Sequence, residues 1–312
     1  MSDNQKIYVV GHKNPDTDSI CSAICYAELK KRIAGEAFEA RRAGNVNEET
    51  QYVLDYFGVA APQLLESAEN KQVILVDHNE MTQTVDGVKD GEIMEVIDHH
   101  KIGDVSTSVP IYFRNQPVGC TATIVYQMYQ ENNQDVTKEI AGLLCSAIVS
   151  DTLMFRSPTC TPVDKETALK LAEIAGINVE EYAMAMFKAG SNLSDKTPEE
   201  IFYQDFKKFN AGDVNFGVGQ ISSMATEELF EIAERLKPYI AQACEEQGLD
   251  MIFFMLTDIL EESTNLIYAG AKAAEFVEKA YGVTREEGDY YKLAGVVSRK
   301  KQLIPTFMDA LQ

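Results

Sequence analysis

Positive charge is scarce in this 312-residue chain: 28 lysines and arginines stand against 49 aspartates and glutamates, a formal net charge of −21 at pH 7. Such a balance repels polyanions at long range, so neither nucleic acid nor an anionic membrane is an expected partner, while a small anion held by metal ions and local cations remains open. Long apolar runs are missing as well. None approaches the roughly 18 residues needed to span a bilayer, and the opening Met1-Ser-Asp-Asn-Gln-Lys lacks the basic-then-apolar start of a secretory signal. A cytoplasmic setting is expected. Six cysteines, Cys21, Cys25, Cys120, Cys145, Cys160 and Cys244, show no framework spacing, and a reducing compartment would keep them as thiols. Cys21 and Cys25 lie one helical turn apart but have no second pair to complete a metal site, so they read as small core residues on a buried helix face. No internal repeat or low-complexity tract is visible.

Histidine is scarce too, and its placement is informative. The four residues His12, His78, His99 and His100 each sit at or just after the end of a short apolar run, within a few residues of an aspartate. The runs are Ile7-Tyr-Val-Val-Gly11, Val73-Ile-Leu-Val76 and Met94-Glu-Val-Ile97. Continuous Val/Ile/Leu stretches read as strands buried on both faces, and in open α/β sheets the chemistry collects at the carboxyl ends of the strands. Three strands are expected to deliver imidazole and carboxylate to one edge.

From Lys6 to about Gly190, short apolar runs alternate with helical stretches (17–33, 121–131, 138–149 and 163–175), the pattern of a largely parallel sheet with crossover helices. A polar Gly/Ser/Asn-rich stretch precedes Thr197-Pro198-Glu199-Glu200, a helix start with proline in its first turn. The expected organisation is an α/β protein: an N-terminal domain at 1–189 with a largely parallel sheet and flanking helices, a linker at 190–195, and a smaller α/β domain at 196–312. In the second domain, strands are expected at 215–222, 251–257, 266–269 and 293–297, with a long helix at 226–247. The last strand is expected to run directly into Ser298-Arg299-Lys300-Lys301-Gln302, the densest basic cluster of the chain. That cluster is either a solvated face or a set of cations able to close over a cleft.

Gly11-His12-Lys13-Asn14-Pro15-Asp16-Thr17-Asp18-Ser19 follows the first strand and opens the first helix, so His12, Asp16 and Asp18 face one region. Asp18 or Ser19 is expected to cap that helix. Capping explains one acid, not two with an imidazole, because like charges a few ångströms apart raise each other's pKa unless a cation neutralises them. Asp77 and Asp98-His99-His100 add groups at neighbouring strand ends. Asp151 ends a helix, where the dipole disfavours a carboxylate, and this too suggests a partner cation. Carboxylate and imidazole without thiolate suit Mn²⁺, Co²⁺ or Zn²⁺, and the groups suffice for two ions sharing a carboxylate. Two ions about 3.5–4 Å apart lower the pKa of a bridging water and clamp an in-line displacement at phosphorus.

Five motifs in order, Gly-His-x-Asn-Pro-Asp-x-Asp at 11–18, Val-Asp-His at 76–78, Asp-His-His at 98–100, Ser-Asp at 150–151 and Ser-Arg-Lys-Lys-Gln at 298–302, resemble those of the family II inorganic pyrophosphatases, in the Asp-His-His phosphoesterase superfamily. The resemblance spans essentially the whole chain. It implies His12, Asp16 and Asp77 as ligands of a first metal, and Asp18, Asp77, His99 and Asp151 as ligands of a second, with Asp77 bridging. It further implies His100, Lys207, Arg299 and Lys300 as the catalytic, substrate-holding groups, with Lys208 an open alternative to Lys207. Pyrophosphate hydrolysis by a metal-bridged hydroxide, in a cleft between the domains that closes on the substrate, follows from the same resemblance. So do two Mn²⁺ or Co²⁺ ions per subunit, Mg²⁺ arriving with substrate, and a homodimer through the N-terminal domain. His78 is expected either to orient a ligand or to be a packed, hydrogen-bonded histidine. Competing readings are an exopolyphosphatase, a phosphodiesterase acting on short oligonucleotides, or a non-catalytic metal- or anion-binding module. The phosphodiesterase reading is weakened because no histidine follows His100, whereas superfamily nucleases usually carry one in the second domain.

Overall fold

A computed structural model of the chain describes residues 6–311 apart from Asn192, Ser194, Asp195, Asp213 and Ala225, with the side chain of Lys300 also outside the described set. Three positions of the expected linker therefore lie outside the described residues. The chain divides into two compact units, Met1–Gly190 and Ser191–Gln312.

Unit 1 contains strands β1 (Ile7–Val10), β2 (Phe38–Arg42), β3 (Gln63–Leu64), β4 (Gln72–Val76), β5 (Glu92–Asp98) and β6 (Tyr112–Asn115). Its helices are α1 (Thr17–Ala34), α2 (Glu48–Phe57), α3 (Thr121–Glu131), α4 (Lys138–Asp151), α5 (Pro162–Ala175) and α6 (Val179–Ser191). The strands form one sheet in the order β3-β2-β1-β4-β5-β6, parallel throughout. Alternate residues explain why these strands are apolar without interruption. Val9, Ile74, Val76 and Ile97 pack with α1, α3, α4 and α5, while Val10, Val73, Leu75 and Val96 pack on the opposite face with Leu65, Val85 and Val88. Each fully buried aliphatic side chain contributes about 1.5–3 kcal/mol of transfer free energy. The chain leaves β1 toward β2 on one side and returns to β4 on the other, so the carboxyl ends of β1 and β4 flank the point where strand order reverses.

The helix termini follow local chemistry. Thr161 and Asp164 form a capping box that starts α5, with Pro162 in the first turn. The cap of α1 is Asp16, whose carboxylate accepts from the Ser19 N–H. The expected caps Asp18 and Ser19 are displaced because the helix already begins at Thr17, which leaves Asp18 inside the first turn.

Unit 2 contains α7 (Pro198–Gln204), β7 (Phe206–Ala211), β8 (Val214–Ser223), α8 (Thr226–Glu246), β9 (Met251–Asp258), β10 (Ser263–Ala269), α9 (Ala273–Tyr281), β11 (Tyr291–Ala294) and α10 (Ile304–Ala310). Thr197 and Glu200 form the capping box of α7. The sheet order is β11-β10-β9-β8-β7, antiparallel except between β8 and β9. Ile252, Phe254 and Leu256 of β9 face a core shared with α7 and α8, and Met251, Phe253 and Met255 face one shared with α9 and α10. The last strand ends at Ala294, earlier than the expected 297, because Gly295 turns the backbone into the left-handed region (φ +73°). Ser298 then caps a π-helical turn, Arg299–Leu303, that leads into α10. Among the described residues, no helix is long and apolar enough to cross a membrane.

Candidate metal centre

The three strands carrying the histidine motifs, β1, β4 and β5, are sheet neighbours, so His12, Asp77 and His99 emerge side by side. The turn after β1 is tight. A Cβ on Gly11 would fall 1.8 Å from Ser19 Oγ, so no larger residue fits where β1 meets α1, and that hydroxyl accepts from the His12 N–H at 2.9 Å. At the end of β4, Asp77 takes a left-handed conformation (φ +62°) that aspartate tolerates better than most residues. Its backbone N–H still donates to the Ile97 carbonyl at 2.9 Å.

These elements bring together all six expected metal ligands in two groups that share Asp77: His12, Asp16 and Asp77, and Asp18, Asp77, His99 and Asp151, with the ligand atoms of each group within 4.8 Å of one another. The two oxygens of Asp77 divide between them. Oδ2 lies 3.4 Å from His12 Nε2, and Oδ1 lies 3.5 Å from His99 Nε2. His12 Nε2 is also 3.5 Å from Asp16 Oδ2, and His99 Nε2 is 3.6 Å from Asp151 Oδ2. These separations are long for hydrogen bonds. They match atoms arranged about a shared ion at roughly 2.1 Å from each. Asp77 Oδ2 and His99 Nε2 are buried and make no hydrogen bond, a costly arrangement unless something electrophilic fills the space. His99 donates from Nδ1 to the Val118 carbonyl at 3.0 Å, which aims the Nε2 lone pair into the cluster. The donor set of carboxylate and imidazole therefore fits a pair of divalent transition ions.

Electrostatics describe the same cluster as a proton trap when metal-free. Burial opposes charge on His12, yet the Asp16 and Asp77 carboxylates outweigh it and lift the imidazole to about 10. His99 is lifted to about 9, with Asp77 and Asp18 overcoming burial. Burial and the Asp77 charge push Asp18 up to about 7. Burial, then the charges of Asp18 and Asp77, also raise Asp151 well above the carboxylate range. Asp77 itself is held low: burial opposes its charge, but His12 and His99 prevail.

Several supporting contacts escaped the sequence reading. Asp18 reaches from α1 to the start of α3, accepting from the Thr121 and Ala122 N–H groups at 2.6 and 3.0 Å, and from Ser22 Oγ at 2.6 Å. It thereby caps a helix whose own N-cap, Cys120, makes no side-chain bond. Thr121 Oγ1 donates to Asp77 Oδ1 at 3.1 Å. Asp98 is buried and accepts from the N–H groups of His99 and His100 at 2.8 and 3.1 Å, from His100 Nδ1 at 2.9 Å, and from the amide of Asn79. The ring of half-exposed His100 is thereby held through Nδ1. Glu49 of α2 accepts through Oε1 from Thr17 Oγ1 at 2.6 Å and Ser150 Oγ at 2.5 Å, tying the residue between Asp16 and Asp18 to the neighbour of Asp151. Asp18 and Asp98 were visible as members of their motifs, though these contacts were not. The others depend on contacts between residues 32 to 104 positions apart. His78 is buried, donates from Nδ1 to the Val76 carbonyl at 2.8 Å, and leaves Nε2 unpaired. It lines a crevice of about 80 Å³ with His12, Asp77, Asn79, His100 and Lys101. A wider hollow of about 610 Å³ on unit 1 contains none of the cluster residues.

The cations of unit 2 form their own group. Arg299 is buried and gives Nη1 to the carbonyls of Asp205 and Val218 at 2.6 and 3.2 Å, and Nη2 to Asp205 Oδ1 at 2.6 Å. Val218 is the register partner of Lys207 across β7 and β8. Side chains alternate along a strand, so Lys207 shares its face with Phe209 and Ala211, which pack with Val296 and Leu303 on either side of Arg299. Lys208 shares the opposite face with Phe206, which packs into the other core. Lys207 is exposed. The side chain of Lys300 lies outside the described residues.

Two family models match the chain. Residues 6–148 match the DHH family, N-terminal domain, and residues 184–310 match the DHHA2 domain. The chain is 48% identical over 309 residues to a manganese-dependent inorganic pyrophosphatase of Bacillus subtilis strain 168, covering 98% of this chain and 99% of that one. It is 47% identical over 313 residues to a manganese-dependent inorganic pyrophosphatase of Methanothrix thermoacetophila, covering 100% of both. A solved structure from Methanococcus jannaschii, assigned to the family II inorganic pyrophosphatases, superposes with a TM-score of 0.67 at 42% identity, covering 98% of this chain and 99% of that one.

Proposed function

Because this chain belongs to the manganese-dependent, family II inorganic pyrophosphatases, we propose that it hydrolyses pyrophosphate to two orthophosphates at the cluster centred on Asp77. The observation that carries the reading is the split of the Asp77 carboxylate: one oxygen toward His12, the other toward His99, each 3.4–3.5 Å from an imidazole nitrogen and one of them buried without a partner. His12, Asp16 and Asp77 would hold one divalent ion, and Asp18, Asp77, His99 and Asp151 the other. When bound, the two ions lower the pKa of water and neutralise charge developing on the phosphoanhydride.

The remaining work belongs to the chain. Thr121 and the first turn of α3 keep the Asp77 and Asp18 oxygens aimed. His100 donates a hydrogen bond to Asp98, and that bond raises its pKa more than burial lowers it. It presents Nε2 to the substrate as a proton donor or hydrogen-bond donor to a phosphoryl oxygen. Lys207, Arg299 and Lys300 supply positive charge to a substrate that an acidic chain would otherwise repel.

Mn²⁺ is the resident metal suggested by the relatives' names. Co²⁺ would satisfy the same donors, and Mg²⁺, content with oxygen ligands, would enter with the substrate. A homodimer is part of the same proposal: β6 is an edge of the parallel sheet and exposes Tyr112 and Phe113, a surface suited to pairing with a second copy. So is a cytoplasmic setting, in keeping with six free cysteines.

The test is orthophosphate release by metal-stripped protein given pyrophosphate, with Mg²⁺ alone and after preincubation with Mn²⁺ or Co²⁺. Strong activation by the transition metal, lost in Asp77→Asn, is expected. Preference for tripolyphosphate or a dinucleotide over pyrophosphate would transfer the assignment to an exopolyphosphatase or a phosphodiesterase. Tight Mn²⁺ binding without any turnover would leave a non-catalytic module.

A further inference from the structure

Arg299 enters unit 2 with most of its hydrogen-bonding capacity already committed. A guanidinium carries five N–H groups in a fixed plane. Nη1 spends both of its own on the Asp205 and Val218 carbonyls, and Nη2 spends one on Asp205 Oδ1. One residue, Asp205, thus grips the two terminal nitrogens end-on, with its backbone oxygen on one and its carboxylate on the other. What remains is the lateral edge made by Nε–H and the second Nη2–H, which meets no acceptor among the described residues. Two parallel N–H groups on that edge match two oxygens of a phosphoryl group, the arrangement for which arginine surpasses lysine. The clamp is itself anchored. The Asp205 carbonyl also accepts from the Gln220 N–H at 3.2 Å, and the Gln220 side chain accepts from the Arg299 N–H at 3.2 Å while donating to the Val297 carbonyl at 3.0 Å.

We propose that Asp205 is a positioning residue for pyrophosphate binding: it holds the terminal nitrogens of Arg299 so that the Nε/Nη2 edge stands ready as a bidentate phosphoryl cradle. This rests on the assignment of pyrophosphate as substrate. The opposite role for the same ion pair is that of a competing latch, since a carboxylate beside a cation weakens its pull on an anion and competes for it. The two roles differ in the sign of one measurable quantity. A positioning clamp, when removed, frees Arg299 to sample other rotamers and lowers pyrophosphate affinity, whereas a competing latch, when removed, raises it.

The experiment is steady-state hydrolysis of pyrophosphate by the Mn²⁺-loaded full chain and its Asp205→Ala, Asp205→Asn and Arg299→Lys variants, with Mn²⁺ titration of each as a control on unit 1. Asp205→Ala is expected to raise KM about tenfold with a smaller change in kcat and unaltered Mn²⁺ binding. Asp205→Asn, which keeps an acceptor oxygen, recovers most of that loss. In the Arg299→Lys background, which has no lateral edge to aim, Asp205→Ala should add little. If Asp205→Ala does not melt cooperatively, Asp205→Asn and the double variant with Arg299→Lys carry the comparison. An unchanged or lowered KM in Asp205→Ala, or full additivity with Arg299→Lys, overturns the positioning role alone. Wild-type protein that fails to turn over pyrophosphate overturns both this role and the function beneath it.

Discussion

Metal loading of this protein should be measurable as proton release. In the metal-free chain at pH 7, His12 with a pKa of about 10 and His99 with one of about 9 both carry a proton, and each must lose it before Nε2 can bind an ion. At 1.36 kcal/mol per decade, the displacement costs about 4 kcal/mol at His12 and about 3 kcal/mol at His99. Apparent affinity at pH 7 should therefore lie about five orders of magnitude below its value in strong base, summed over the two ions. Filling both groups with Mn²⁺ at pH 7 should release about two protons from the imidazoles, with a further contribution from Asp18, whose pKa is about 7, and from Asp151, which burial and its acidic neighbours also raise. Titration calorimetry in two buffers of different ionisation enthalpy counts those protons directly. The count should fall steadily between pH 8 and 10 as the imidazoles deprotonate without help. Release of less than about half a proton at pH 7, or an affinity independent of pH, would refute the charge state assigned to the cluster and the shared role of Asp77 that produces it.

Three further outcomes are expected. His12 and His99 bind protons more tightly in the folded than in the unfolded chain, so they stabilise the metal-free fold below about pH 6.5 and that contribution is lost as pH rises through about 9 and 10. The thermal midpoint of metal-free protein should accordingly drop across this interval, and saturating Mn²⁺ should abolish the drop; a flat profile without metal would count against the shifts. Glu49→Ala should weaken Mn²⁺ binding about tenfold by releasing Thr17 and Ser150 from their common acceptor. Glu49→Gln, which retains an acceptor oxygen, should weaken it far less, and equal effects of the two variants in a Mn²⁺ titration would contradict this tie. Asp98→Ala should lower the pKa of His100 by removing its Nδ1 partner, which imidazole resonances followed by NMR through a pH series would reveal; an unmoved titration would exclude Asp98 as the cause.

How much of this was legible beforehand depends on the range of the interactions involved. The apolar runs ending at Val10, Val76 and Ile97 announced strands buried on both faces, because no half-exposed strand can be apolar at every position. The histidines and aspartates that follow them pointed to a cation, because carboxylates gathered a few ångströms apart raise each other's pKa unless one neutralises them. The short strands β2, β3 and β6 were missed: Phe38-Glu-Ala-Arg-Arg42 carries polar residues along its length, and its strand character comes from pairing with β1. The helix cap was misread by two or three residues, since Asp16, Asp18 and Ser19 are equivalent as capping chemistry until the first helical residue is known.

Local chemistry in the sequence thus determined which residues could bind metal, which segments would be the buried apolar strands and several of the helices, and how acidic the surroundings of an anionic substrate would be. Only the tertiary structure decided that β1, β4 and β5 are neighbours, that the two oxygens of Asp77 face different histidines, that Asp18 caps a helix about a hundred residues downstream, and that Lys207 rather than Lys208 shares a face with the segment carrying Arg299. The physical reason is that residue type and helical or strand period are properties of a few consecutive residues, whereas the direction of a lone pair is set by packing among segments far apart in the chain.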